Sequence, residues 1–382
     1  MKKQHLLALT ALAALLFVFG RDASTKTQTK SPVPPVVTKQ AVIDVAFCLD
    51  TTGSMSGLLE GAKTKIWSIV NTISTAQPRP VLRIALVGYR DMQDTYVTKV
   101  FDFTPNLEMM YSHLREFHAD GGGDTPEHVN KALHESIHKL GWSKNPGALK
   151  ILYLVGDAPP HMDYQDGFDY RKVSRRAAAT GIIINTIQCG NMDGTRQVWQ
   201  EISRMAEGKY AAIDQSGGMV NINSPYDAEL SRLSGELNKT YVAYGKSGAM
   251  NLAAQSEHDT VAADAPSAAA ERASTKASGL YKNESWDLVD AVKEDGKKLD
   301  KLADEELPAN LRGLSRDQQG AYLKKKEGER ANLQKQIQDI SKKRESYIEN
   351  EKKKNGAKKD AFDEQVLSTL KEQAKEKGIK FE

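Results

Sequence analysis

Ala41-Val-Ile-Asp-Val-Ala-Phe-Cys-Leu49 runs directly into Asp50-Thr-Thr-Gly-Ser-Met55. The first stretch is almost entirely apolar over the length of a strand, which predicts a strand buried on both faces. It ends at a carboxylate, and two hydroxyl side chains, Thr52 and Ser54, follow on alternate residues. Apolar residues then recur at helical spacing over residues 58–73, so the loop lies between a buried strand and an amphipathic helix. Loops in this position bind ligands in α/β proteins.

The spacing Asp-x-Thr-x-Ser has a chemical consequence. A turn that leaves a strand can direct alternate side chains inward, which gives one anionic and two neutral oxygens at residues 50–54. Such oxygens suit a small hard cation such as Mg²⁺. Three ligands are too few for that ion, so a metal site requires further oxygens from other loops at the same edge of the sheet.

Strand and helix patterns alternate along the chain up to about residue 245. Further strands are predicted at residues 81–87, 96–103, 148–155, 181–188 and 210–213, and amphipathic helices lie between most of them. This alternation predicts a doubly wound, mostly parallel α/β sheet flanked by helices. If the first and fourth strands are neighbours, the loops after both strands flank the topological switch point, where such sheets bind ligands.

Two later loops carry oxygen side chains at the same edge. Asp120-Gly-Gly-Gly-Asp-Thr-Pro-Glu127 contains Thr125, and its plainest interpretation is a flexible loop with Thr125-Pro126 as the cap and first turn of a helix. The strand at 148–155 runs into a carboxylate, Asp157. Asp91, His161 and Asp163 follow strand ends and Asp124 lies in the glycine-rich loop, but rim, capping and ordinary loop roles remain open, and no second cation site is assigned from them.

Five of these residues together resemble the metal-ion-dependent adhesion site of von Willebrand factor type A domains: Asp50, Thr52, Ser54, Thr125 and Asp157. The resemblance covers about residues 41–245. It implies that the hydroxyls supply neutral oxygens and that the two aspartates act directly or through water on Mg²⁺, with Mn²⁺ or Ca²⁺ as alternatives. It also implies a protein or peptide partner, whose Asp or Glu completes the shell of the ion.

The expected function is therefore metal-dependent protein binding of the adhesion type, without enzyme activity. An aspartate that ends a first strand is also the nucleophile position of haloacid-dehalogenase-type phosphatases, but Thr52 stands where their acid/base residue is required. The chain has no phosphate-binding loop motif and no nucleophile-elbow motif. A second alternative is a structural or scaffolding protein that acts mainly through its C-terminal helices.

The N-terminal residues indicate export. Met1-Lys-Lys3 precedes an apolar run, so residues 1–20 are predicted to be a signal peptide, with an uncleaved membrane anchor as the alternative. Residues 21–40 resemble a Pro/Thr-rich linker. The expected location is secreted or periplasmic, without a membrane span in the mature chain. The formal charge of +3 over 382 residues, without a dense basic block, argues against a nucleic-acid partner.

The strand pattern ends after about residue 245. Residues 246–280 are predicted to be an Ala/Ser-rich linker, with a weak helix over 249–280 as the alternative, and residues 281–382 a charged, mostly helical extension. Residues 315–349 approach heptad spacing, but basic residues interrupt the seam, so a helix packed on its own chain is favoured over a strong coiled coil. The chain has only two cysteines, Cys48 and Cys189, which we expect to be buried thiols.

Overall fold

The computed structural model describes residues 41–219, 221–354 and 361–381, and a six-stranded sheet lies at its centre. The strands are β1 (Val42–Asp50), β2 (Ala76–Gln77), β3 (Val81–Tyr89), β4 (Thr98–Thr104), β5 (Leu149–Gly156), β6 (Ile183–Cys189), β7 (Tyr210–Ile213) and β8 (Lys380–Phe381). The central sheet has the order β4-β3-β1-β5-β6-β7, and β2 pairs with β8 in a separate ribbon. Only the edge pair of β3 and β4 is antiparallel within the central sheet.

This topology confirms the predicted fold class. β1 lies between β3 and β5, with Leu49 opposite both Gly88 and Val155. The chain passes from β1 to one side of the sheet and later returns to the other side at β5. The carboxyl ends of β1 and β5 therefore meet at the topological switch point.

Helices cover both faces of the sheet. They are α1 (Ser56–Ser74), α2 (Leu107–Arg115), α3 (Val129–His138), α4 (Tyr170–Ala179), α5 (Thr195–Met205), α6 (Asp227–Asn238), α7 (Gly248–Ala262), α8 (Pro266–Lys276), α9 (Leu288–Glu294), α10 (Arg316–Lys354) and α11 (Phe362–Glu376), and short 3₁₀ helices cover Gly53–Met55, Leu299–Lys301 and Asp304–Glu306. Apolar residues of α3, α4 and α5 pack on one face of the sheet, and those of α1, α2 and α11 pack on the other. Because successive residues of β1 point to opposite faces, its apolar side chains pack into the hydrophobic cores on both faces of the sheet.

One helix begins later than predicted. Thr125-Pro126 does not start α3, which begins at Val129 with His128 as its cap residue. An isolated β-bridge between Glu127 and Pro160 explains the later start. In this bridge, Glu127 N donates to the carbonyl oxygen of Pro159 over 3.0 Å. This bridge holds the chain in an extended conformation ahead of the helix, so Thr125 stays in the loop.

The boundaries predicted at residues 245 and 280 do not divide the structure, since the described residues from Ala41 onward belong to one compact unit. The predicted linker contains α7 and α8, and buried alanines of α8 belong to the same core as α1. Arg272 of α8 is almost fully buried and donates to Glu108 of α2 over 2.6 Å and to Asp259 of α7 over 2.5 Å. A buried guanidinium must be paired, so these ion pairs fix both helices to the sheet domain.

The last helices also belong to the core. Tyr153 of β5 donates its hydroxyl proton to the carbonyl of Val366 in α11 over 2.9 Å. The helix α10 packs against α6, α8 and α9, which confirms packing on its own chain. Its Arg330 pairs with Asp287 and its Arg344 with Asp227, each over 2.7 Å. Two of the basic residues that interrupt the heptad seam thus form buried ion pairs.

Three further expectations concern the termini and the cysteines. Residues 1–20 and 21–40, the predicted signal peptide and linker, lie outside the described residues. Within the part of the chain that the structure describes, no helix combines the length and the apolar character that a membrane span requires. Cys48 and Cys189 are free and buried, as predicted, and β5 separates their strands.

Candidate metal centre

Four of the five predicted ligands line one pocket at the carboxyl edge of the sheet. This pocket has a volume of about 160 Å³, and Thr52, Ser54, Thr125 and Asp157 are among its lining residues. The fifth residue, Asp50, is fully buried at the end of β1, in direct contact with Thr52. The fold therefore brings together three loops that are far apart in the sequence.

Asp50 has one satisfied and one unsatisfied carboxylate oxygen. Its Oδ1 accepts from Thr52 N over 2.9 Å and from Thr52 Oγ1 over 2.6 Å. Its Oδ2 is buried and has no hydrogen-bond partner among the described residues. Burial, and then the negative charge of Asp157, raise the pKa of Asp50 to about 7. A buried oxygen of this kind favours a proton or a cation beside it.

The hydroxyl groups lie next to this carboxylate. Thr52 Oγ1 is 3.2 Å from Ser54 Oγ, and Asp50 orients Thr52 from behind. Thr125 is exposed on the glycine-rich loop at the pocket wall. These oxygens are neutral, so the two aspartates supply the only predicted ligand charge.

The glycine-rich loop is fastened to the first loop by backbone contacts. Gly53 N donates to Gly121 O over 3.2 Å, and Asp120 N donates to Thr51 O over 3.1 Å. Gly122 has a φ of +82°, and a Cβ atom there would lie 3.0 Å from Cβ of Thr52. The absence of a side chain at this glycine therefore lets the loop that carries Thr125 approach Thr52.

Sequence reasoning missed Arg90, which holds these loops from inside. This buried side chain donates from Nε to Thr51 O over 3.1 Å and from Nη2 to His118 O over 2.7 Å. Its guanidinium carbon lies 4.5 Å from the ring centroid of Tyr96. The available signal was an arginine directly after a buried strand, but its backbone partners follow only from the fold.

Gln215 and Glu127 were also missed. Gln215 Nε2 donates to Asp157 Oδ2 over 2.6 Å and to the carbonyl oxygen of Ser54 over 3.3 Å. Glu127 lines the pocket, and its Oε2 is buried without a partner in the described part of the chain. Burial, and then the charge of Asp50 and other nearby aspartates, raise the pKa of Glu127 to about 9. The pocket therefore has an excess of acidic groups over nearby basic ones.

Comparisons with known proteins agree with this geometry. The family model described as von Willebrand factor A domain matches residues 44–224. An ariadne-like RING finger protein of Acanthamoeba polyphaga mimivirus is 32% identical over 122 residues, which are 32% of this chain and 12% of that protein. Human hemicentin-1 is 25% identical over 210 residues, which are 53% of this chain and 3% of hemicentin-1. The chain thus spans only a small part of these relatives.

Solved structures that match part of this chain include BatB from Bacteroides thetaiotaomicron, at 14% identity and a TM-score of 0.34 over 46% of this chain and 91% of that chain. Proximal thread matrix protein 1 of the mussel byssus matches at 14% identity and a TM-score of 0.36 over 46% of this chain and 42% of that chain. The family match rests on the sequence and covers the strands and loops that build the pocket. Residues 44–224 form a von Willebrand factor A domain.

Proposed function

We propose that this chain is an extracytoplasmic protein-binding module that captures an acidic side chain of its partner through a divalent cation. Asp50, Thr52, Ser54, Thr125 and Asp157 are the proposed ligands. The observation that carries the proposal is the buried, unpartnered Oδ2 of Asp50 beside a pocket lined by the other four residues. Domains of this family are typically adhesion or protein-binding modules.

The donor set fits a hard cation. It consists of carboxylate and hydroxyl oxygens, which Mg²⁺ prefers, and Mn²⁺ or Ca²⁺ are alternatives. Two carboxylates balance the charge of a dication, and three hydroxyls add no further charge. A bound cation would supply a Lewis-acidic position that accepts one more anionic oxygen, as a partner Asp or Glu provides.

Hydrogen bonds within the chain hold two of the proposed ligands, Thr52 and Asp157, in fixed orientations. Asp50 fixes Thr52 through two hydrogen bonds, and Gln215 fixes Asp157 from the opposite side. Thr125 is exposed, so an incoming side chain can reach the pocket at that wall. Because positions fixed in advance lose less freedom on binding, this arrangement favours tight capture of a small anionic group.

Enzyme activity and scaffolding are the two alternative functions that the test below distinguishes from this proposal. No enzyme family is evident from the matches, and the family is usually non-catalytic. Scaffolding through the C-terminal helices has less support, because α11 buries its apolar residues within the chain's own core. The extracytoplasmic location rests on the apolar run that follows Lys2 and Lys3.

The test is capture of a partner from an extracytoplasmic extract on the immobilised chain. We expect specific retention in Mg²⁺, loss after a chelator is added, and recovery when Mg²⁺ is restored. The double variant Asp50→Asn, Asp157→Asn should retain nothing, while a surface variant such as Lys375→Ala should match the wild type. Full, chelator-insensitive capture by the double variant would contradict the proposal and favour scaffolding.

A further inference from the structure

Three side chains from three loops converge next to the first pocket: Asp91 after β3, Asp124 in the glycine-rich loop and His161 after β5. Nε2 of His161 lies 3.5 Å from Asp91 Oδ2 and 3.6 Å from Asp124 Oδ2. One donor atom from each residue lies within 4.8 Å of the other two. None of the three belongs to the set proposed for the first cation.

The hydrogen bond on the other ring nitrogen of His161 sets the tautomer. Nδ1 is 2.8 Å from Asp163 Oδ1, and a carboxylate accepts, so the proton lies on Nδ1. In the neutral imidazole, Nε2 then carries the lone pair that a metal ion binds. Histidines that bind metals are held by the same carboxylate–imidazole pairing.

The free nitrogen is buried and aimed at the two carboxylates. His161 is 7% exposed, and its Nε2 has no hydrogen-bond partner among the described residues. Asp91 is 5% exposed, and its Oδ1 also lacks a partner there, while its Oδ2 accepts from the Tyr164 hydroxyl over 2.6 Å. Unsatisfied atoms of this kind are costly to bury, so their convergence favours a compensating ligand.

The spacing fits a metal better than a direct ion pair. Charge-assisted N–H···O bonds are about 2.7–2.9 Å long, which is shorter than both Nε2–Oδ2 distances. Ligands about 2.0–2.1 Å from a tetrahedral ion lie roughly 3.3–3.4 Å from one another. The observed 3.5 and 3.6 Å are close to that separation.

We propose that Asp91, Asp124 and His161 hold a second divalent cation of the borderline class represented by Zn²⁺. One imidazole and two carboxylates suit Zn²⁺ rather than Mg²⁺, which prefers oxygen alone. The Asp124 side chain is 63% exposed, so the ion has an entry path and room for water as a fourth ligand. The ion joins three loops, and one of them carries Thr125 directly after Asp124. This proposal stands independently of the function proposed above.

The test is Zn²⁺ titration of the full chain after chelator treatment, followed by calorimetry and metal analysis. We expect one tightly bound Zn²⁺ that excess Mg²⁺ does not displace. His161→Gln should weaken Zn²⁺ binding at least 100-fold, and Asp163→Ala, which removes the acceptor for Nδ1–H, should weaken it about 10-fold by releasing the ring. His138→Gln, a histidine on the exposed end of α3, is the matched control and should bind Zn²⁺ like the wild type.

Two further measurements separate this site from the first one. Asp157→Asn should leave Zn²⁺ binding unchanged, because Asp157 is not among the proposed ligands. X-ray absorption of the wild-type Zn²⁺ complex should show one imidazole nitrogen at about 2.0 Å, which keeps the test valid if His161→Gln fails to fold. Zn²⁺ binding that depends on Asp157 but not on His161, or a shell of oxygen alone, would overturn the proposal.

Discussion

Gln215 Nε2 donates a hydrogen bond of 2.6 Å to Asp157 Oδ2, although the two residues follow strands that are not neighbours in the sheet. The same nitrogen lies 3.3 Å from the carbonyl oxygen of Ser54. Gln215 therefore connects the loop after β7 to both the first and the third loop of the pocket. Its amide leaves one oxygen of Asp157 available and fixes the orientation of the carboxylate.

Replacement of Gln215 should weaken the first cation site without removing a ligand. We expect Gln215→Ala to lower Mg²⁺ affinity about 10-fold, the scale seen when a residue that orients a ligand is lost. Calorimetric titration with Mg²⁺ measures the effect. Gln197→Ala, an exposed glutamine on α5, is the control and should leave the affinity unchanged. Equal affinities for the two variants would show that Gln215 has no orienting role.

The buried carboxylate of Asp50 should make the metal-free chain less stable at high pH. Its pKa rises from 3.8 to about 7 on folding, so the folded state loses stability as the pH increases through that window. Asp50→Asn keeps the Oδ1 acceptor for Thr52 and removes this loss, which amounts to at most about 4 kcal/mol. We expect the chelator-treated variant to melt at a higher temperature than the wild type at pH 8, and at a similar temperature at pH 4.

Thermal unfolding with and without Mg²⁺ checks this result. Mg²⁺ should raise the melting temperature of the wild type and have little effect on Asp50→Asn, because binding to the folded state alone stabilises it. Lower stability of the variant at pH 8 in chelator would show that the buried charge of Asp50 does not destabilise the metal-free folded chain.

The hydroxyl at Thr125 should matter more for the partner than for the ion. It is neutral and exposed, so it contributes geometry more than charge. We expect Thr125→Ala to reduce partner capture strongly while Mg²⁺ affinity falls less than in Asp50→Ala or Asp157→Ala. Thr125→Ser, which keeps the hydroxyl, should restore capture. An equal loss of partner capture and of Mg²⁺ affinity in Thr125→Ala would indicate that the hydroxyl is essential for holding the cation.

The sheet order and the convergence of the five pocket residues were predictable because both rest on local patterns. An apolar run that ends in a carboxylate indicates a buried strand and its loop, and the alternation of elements indicates a mostly parallel sheet. The adjacency of the first and fourth strands was assumed from the doubly wound topology, and β1 does pair with β5. Gln215 and Arg90 were not predictable, because their function depends on partners up to 161 residues away that only the fold brings near. Metal binding itself remains a prediction.

The two helices at residues 248–276 were predicted only as a linker or a weak helix, for a related reason. Alanine gives only a weak hydrophobic periodicity, so an Ala-rich helix resembles a linker in sequence. The packing of α8 depends on Arg272, whose partner Glu108 is 164 residues away. Local sequence cannot reveal that a single arginine lies buried against a carboxylate on another helix.

The two thiols should be inert in the folded protein. Burial raises the pKa of Cys48 to about 12, and burial also raises the pKa of Cys189. At pH 8 only about one Cys48 in 10⁴ is then a thiolate, which is the reactive form. We expect negligible modification by an aromatic disulfide reagent under native conditions and two modified thiols after denaturation. Fast reaction of the native chain would show that β1 or β6 opens readily.

The last prediction concerns α11, which the sequence alone assigned to a separate helical region. Leu370 is fully buried in the core shared with β1 and α1, so Leu370→Ala should cost about 2–5 kcal/mol of unfolding free energy. Ser368→Ala, at an exposed position of the same helix, should change stability little. Chemical denaturation should show one cooperative transition for both variants, shifted only for Leu370→Ala.

For the same reason a chain truncated at residue 280 should not fold, because it lacks the helix that covers Tyr153 and Phe47. A stable proteolytic fragment that ends between residues 245 and 280 would contradict this view and restore the separate region.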